Sequence, residues 1–287
     1  MSIDIPIRLP AVDWRRKFRY RLMLILLQPS LILSGLVVLV VAGWWVSPST
    51  FTRLSPYESD SDHGFSPPSL DHPFGTDRIG RDLYARVVYG AANTVEAALI
   101  AVFIGLVLGS LIGLLSGSLG GAFDTVVTRI VDVLLSLPSL LLSMVVVAAT
   151  GYGMVNIAIA VGIASIATFA RVMRSEVLRV ARSQFVEAAG TLGVGYWRVL
   201  ATHVLPNSAR PVVALAALEL GTSILAVSSL GFLGYGLQAP EPEWGLSVSE
   251  GRDYLASYPW IALLPGVVIV LVVLSANRIG KSLGEIR

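Results

Sequence analysis

Apolar residues in this chain gather into long runs separated by polar, turn-rich segments. A run of about 20 apolar residues crosses the hydrocarbon core of a bilayer as a helix. Six stretches qualify: 23–46, 92–116, 127–149, 154–171, 210–230 and 259–277. They predict an all-α membrane protein with six transmembrane helices. The first run follows "WRRKFRYRL" and ends at Trp44 and Trp45, where an interfacial aromatic belt belongs. It is longer than the apolar core of a secretory signal and reads as an uncleaved first span.

An even number of spans puts both ends of the chain on one side. With the N-terminus inside, 21 basic residues divide so that only Arg53, Arg78, Arg81, Arg86 and Arg252 fall outside. The positive-inside rule therefore predicts an N-in, C-in topology. The resulting organisation is a cytoplasmic segment 1–22, a first span 23–46, an external loop 47–91, a five-helix core 92–277 and a cytoplasmic tail 278–287. Within the core lie two long connections, an inner loop 172–209 and an external loop 231–258. Connections of that length tend to be functional.

The inner loop contains "FVEAAGTLGVGYWRVLATHVLPN". Phe185, Ala189 and Leu192 recur at helical spacing, Gly193 and Gly195 interrupt, and Trp197, Leu200 and Val204 begin a second stripe that Pro206 is expected to end. This predicts a cytosolic helix–turn–helix. Its aromatic residues suit either a docking surface for a soluble partner or packing back on the membrane surface. In the second span Gly105, Gly109, Gly113 and Gly117 recur every four residues, followed by Gly121. They form a smooth stripe for close helix approach, which also permits sliding.

Composition agrees with the pattern, since 54% of the 287 residues are hydrophobic and 14% are charged. The net charge of +2 reflects inner loops and implies no nucleic-acid partner. There is no cysteine, and His63, His72 and His203 all lie in loops. No thiol chemistry, intramembrane serine–histidine pair or metal centre follows from these residues. "GKS" at 280–282 lacks the preceding glycine of a phosphate-binding loop, because position 275 is serine. Charged side chains at mid-membrane are costly and face the protein interior. Asp132, Glu219 and, nearer an outer boundary, Glu96 are thus pathway candidates, the alternative being structural pairing with each other or with polar backbone.

The inner loop resembles the EAA loop of ABC importer permeases, with Glu187-Ala188-Ala189, Gly193 and Leu205-Pro206 at matching spacing. "HPFGTDRIGRDLYARVVYG" at 72–90 and "RIVDVLLSLPSLLLS" at 129–143 resemble the dipeptide, oligopeptide and nickel branch. "LGFLGYGLQAPEPEWG" at 230–245 resembles the C-type permease subunit of that branch. The likeness runs from about residue 70 to 283, and "NRIGKSLGEIR" ends sooner than the usual tail.

The resemblance implies the type I ABC importer (MetI-like) permease fold in a bacterial inner membrane. It implies a homologous B-type permease, two ATPase subunits carrying ATP and Mg, and an extracytoplasmic solute-binding protein as partners, with no cofactor or metal on this chain. Glu187, Ala188, Ala189, Gly190, Gly193, Trp197, Leu205 and Pro206 would form the coupling segment that seats in an ATPase cleft. Cargo would be short peptides, with nickel, a metal chelate or glutathione as alternatives. An ion-coupled secondary transporter is the rival class; it lacks support from an inverted repeat or a coupling-ion site.

Overall fold

The computed structural model describes residues 28–285. The segment 1–22, the beginning of the first predicted span and Arg287 lie outside the described residues. Helix α1 spans Pro29–Val46, opening on a proline, the residue whose missing N–H costs nothing at a first helical position. It buries only Ser34, Val41 and Trp44. A short helical turn at Pro48–Phe51 follows, and then an irregular stretch crossed by one isolated bridge between Thr76 and Asp82.

Helix α2 runs unbroken over Leu83–Leu119. The span predicted to begin at 92 starts nine residues earlier, at Leu83, within the stretch predicted as loop. Asp82 caps it by accepting the Ala85 N–H at 2.6 Å, and Leu83, Val87 and Ala91 are already buried in its first turns. The helix loosens into a π turn at Gly105–Gly109 and ends where Gly120 and Gly121 take positive φ.

The third predicted span, 127–149, is not continuous. Helix α3 (Gly121–Ser136) and helix α4 (Ser139–Thr150) meet at a bend of 96°. Pro138 is the cause: it excludes helical backbone from the residue before it, and Leu137 is extended at φ −88°, ψ 138°. Helix α5 (Met154–Ala181) starts where predicted and continues ten residues beyond the expected end at 171. Helix α6 (Gln184–Thr191), a turn through Gly193 and helix α7 (Tyr196–Phe232) follow.

Pro206 does not end a helix. The chain carries it inside α7, immediately after a π turn at Leu200–Val204. A wider turn relieves the clash and the lost hydrogen bond that a proline imposes on the preceding turn. Helix α8 (Trp244–Gly251) sits in the last long loop, and helix α9 (Trp260–Glu285) completes the described chain. Among the described residues five helices, α1, α2, α5, α7 and α9, are long and apolar enough to cross a membrane, and the bent α3–α4 pair makes a sixth if counted as one span.

Helix α5 is the hub. Ile157, Ala158, Ala160 and Val161 share the main apolar cluster with Val87 and Ala98 of α2 and Ile224 and Leu230 of α7, and Val268 and Val272 of α9 extend it. A second cluster joins Phe169, Met173 and Val177 to Ala189 of α6 and to Val199, Leu200 and Val204 of α7. Many large apolar side chains, among them Leu39, Phe103, Leu111, Val145 and Leu274, point outward. Such a surface calls for lipid or another apolar chain as its solvent.

Candidate coupling surface and translocation pathway

The elbow between α5 and α7 is held from beneath and open above. The linker closes on the end of α5 through the Ser183 N–H, which donates to the Val180 carbonyl at 3.0 Å, and α6 opens with the Glu187 N–H donating to the Ser183 carbonyl at 3.1 Å. Ala189 is buried against Val199, Leu200 and Val204, while Glu187 and Ala188 are exposed. The predicted stripe therefore divides: Ala189 joins the core, whereas Phe185 and Leu192 face outward. Gly193 reverses the chain at φ +78°, in the left-handed region that side chains disfavour.

Beyond that turn the Tyr196 and Trp197 rings meet edge to face, 5.4 Å between centroids. Trp197 is 63% exposed. The Tyr196 hydroxyl donates to the Ser118 carbonyl, tying the elbow to the C-terminal end of α2. Leu205 and Pro206 are exposed on the next turn. Glu187, Ala188, Leu192 and Trp197 are thus displayed on one short, well-supported projection.

The glycines of α2 face α5. A Cβ on Gly105 would stand 2.1 Å from the Ser165 Oγ, on Gly109 2.6 Å from the Ile166 carbonyl, on Gly113 2.4 Å from the Ala170 carbonyl and on Gly117 2.9 Å from a Val177 methyl. Gly121 has open space around it. Near the Gly117 end of the same contact Arg174 of α5 donates two hydrogen bonds, 2.5 and 2.6 Å, to Asp124 of α3. Asp124 also accepts from Ser116 of α2 at 2.5 Å, so three helices share one carboxylate.

Asp132 and Glu219 do not meet. Asp132 of α3 pairs with Arg171 of α5 at 2.6 Å, both partners half exposed, beside a hollow of about 290 Å³ that also takes in Arg174. The charge of Asp132 is thus satisfied by Arg171, the last residue of the predicted span. Glu219 of α7 accepts a 2.8 Å hydrogen bond from Thr222 one turn on and lines a separate hollow with α4 and α5. Glu96 is exposed on α2.

One site was not singled out by the sequence. Glu243 is fully buried and caps α8, accepting from the N–H groups of Gly245 at 2.8 Å and Leu246 at 2.6 Å and from the Thr94 hydroxyl at 3.1 Å. Burial pushes its carboxyl above the ordinary range, against the lowering effect of those donors. Trp244 is buried beside it and donates to the Val87 carbonyl at 2.8 Å. Next to this cap Arg86, wholly buried, pairs with Glu250 at 3.0 Å, and Arg81 bridges Asp77 and Glu250 at 2.5 and 3.2 Å. The loop before α2 and the loop between α7 and α9 are thereby locked onto α2. The signal available was an acid placed directly before "WGLSVSEG", but glutamate is not among the preferred capping residues.

The model of the binding-protein-dependent transport system inner membrane component family matches residues 90–284. The chain belongs to this family. Among relatives, the dipeptide transport system permease protein DppC of Alkalihalophilus pseudofirmus is 36% identical over 255 residues, which is 89% of this chain and 82% of that protein. The glutathione transport system permease protein GsiD of Salmonella typhimurium is 41% identical over 283 residues, covering 97% of this chain and 90% of the relative. A solved structure of the MetNI methionine ABC transporter in inward facing conformations shares the fold at 18% identity. Its TM-score is 0.54, over 69% of this chain and 96% of that one. An amino acid ABC transporter crystal structure, 14% identical, aligns at a TM-score of 0.56 over 69% and 92%. The protein is therefore a multi-pass inner-membrane permease subunit of the ABC importer type, and the expected fold and family stand. As a transport permease it is the non-enzymatic member of its system.

Proposed function

We propose that this permease imports short peptides by alternating access, forming the pathway with a homologous B-type permease and taking its drive from two ATPase subunits. Both chain ends lie in the cytosol, and an extracytoplasmic solute-binding protein delivers cargo to the opposite face. The observation that carries the coupling role is the α6 projection, whose exposed Glu187, Ala188, Leu192 and Trp197 stand on a buried footing of Ala189, Val199 and Leu200. A loop meant only for solvent has no use for exposed aromatic anchors on a rigid base. ATP binding on the partners draws this projection and its counterpart together, and α7, continuous with the elbow, passes the motion into the membrane. Peptide cargo is supported by the likeness to a dipeptide permease; the greater identity to glutathione permeases favours glutathione as a second cargo reading. Among the described residues no three histidine or acidic side chains cluster as a metal site.

The test is purification of the tagged chain in mild detergent, reconstitution of whatever subunits accompany it, and uptake driven by ATP with the binding protein outside. Accumulation of a labelled dipeptide, competed by excess dipeptide more strongly than by glutathione, supports the peptide reading; the reverse order of competition assigns glutathione. Solute movement that follows an ion gradient and needs no ATP overturns the importer mechanism.

A further inference from the structure

At mid-depth α4, α5 and α7 flank an open hollow of about 180 Å³ whose wall is unusually polar for its depth. Ser139 and Ser143 come from α4, Ser165 and Thr168 from α5, and Glu219 and Ser223 from α7. Glu219 lies 13 residues before the outer end of α7, and Thr168 lies 14 residues after the outer end of α5. At 1.5 Å per residue both sit roughly 20 Å below those ends, so the two walls agree on the depth.

Two features distinguish this hollow from a packing defect. Among the described residues no cation pairs with Glu219, whose recorded side-chain bond is the one from Thr222 of its own helix. Asp132, by contrast, has Arg171, and Asp124 has Arg174. Ser223 is 1% exposed, and its hydroxyl has no hydrogen-bond partner. An unpaired carboxylate and an unspent hydroxyl on one wall at mid-depth are costly unless something polar visits them.

We infer that this hollow is a transient cargo subsite in which Glu219 receives a primary ammonium group, with the surrounding hydroxyls replacing its water. The inference rests on the import reading above, and peptides and glutathione both carry such a group. The carboxylate supplies the charge, and Ser223 and Thr168 supply hydroxyl acceptors on the same lining. No basic side chain lines the hollow, so an anionic group finds no partner in it.

The cysteine-free sequence permits a test that does not depend on transport. Thr168→Cys places one thiol on the wall facing Glu219. In the full complex it should react with an ethylammonium methanethiosulfonate about tenfold faster than with the ethylsulfonate reagent, after correction for their intrinsic rates. In the Thr168→Cys, Glu219→Gln chain that preference should collapse to about one. A thiol that neither reagent reaches, equal rates with Glu219 present, or a preference that survives Glu219→Gln overturns the subsite. Uptake by Glu219→Gln with Thr168 intact should fall about tenfold while ATP hydrolysis stimulated by the binding protein persists. Unchanged uptake also overturns it. If the parent complex moves no peptide or glutathione with ATP, the import reading fails on that result alone, and the labelling ratio still decides whether the hollow selects cations.

Discussion

At the scale of single residues, the α2–α5 contact depends on atoms that are not there. A Cβ at Gly113 would lie 2.4 Å from a backbone carbonyl, which cannot swing aside as a side-chain tip can. Gly113→Ala should therefore destabilise the protein by about 1–3 kcal/mol, the range of overpacking, despite alanine's better helix propensity. Gly266→Ala, where nothing lies within 4 Å, is the control and should be neutral or slightly stabilising. Thermal unfolding of both in the same detergent reads the difference. Glu243 gives a second residue-scale expectation. Its folded carboxyl is raised above the ordinary 4.5, so the folded state holds the proton more tightly than the unfolded one. Stability contributed by this group is greatest below the unfolded value and is lost as pH rises towards the folded one. Glu243→Gln should flatten that dependence, whereas Glu243→Ala, which orphans the N–H groups of Gly245 and Leu246, should cost about 1–3 kcal/mol at every pH.

At the scale of elements, the coupling projection separates mechanical failure from folding failure. Glu187→Arg changes an exposed charge and leaves the buried footing of Ala189 untouched, so membrane insertion and thermal stability should match the parent. Coupled uptake should fall at least about tenfold, which is a loss of ~1.4 kcal/mol of coupling between sites. Normal uptake at normal abundance would remove Glu187 from the docking surface. Gly193→Val should also uncouple but for a different reason. No atom lies near its Cβ position; a β-branched residue simply resists φ +78°, and Gly193→Asn, which tolerates that region, should recover much of the loss.

These elements also show what the sequence made legible. Long apolar runs announce spans because the bilayer imposes their length, and α1, α5, α7 and α9 were readable on that basis. The break at Leu137–Pro138 was visible as a residue type but not as a geometry, since prolines in spans are often absorbed. Pro206 is the converse case, a proline that a π turn accommodates. Glu243 was illegible because its meaning comes from Thr94, 149 residues away, and from a helix start that only tertiary contact defines. The same holds for Asp132, whose partner Arg171 lies 39 positions along the chain.

For the whole molecule, the topology can be read directly. With no native cysteine, single cysteines at Leu70 and Asp253 should label from outside intact spheroplasts, and one at Thr191 only after permeabilisation. The opposite pattern would invert the proposed orientation and with it the coupling surface. Orientation matters because α7 is a single 37-residue helix, about 55 Å from end to end. Its inner tip carries the projection, and Gly231 at its outer tip lies against the buried Glu243 carboxylate. A rod that tilts about its middle moves its two tips in opposite directions, and a 10° tilt displaces each by about 5 Å at this length. Spin labels at Trp197 and Leu233 should accordingly shift in antiphase through the ATP cycle. The two ends of the pathway would then need no messenger between them: opening one and closing the other is a single movement of one lever, whose fulcrum falls at Ala214, five residues before Glu219.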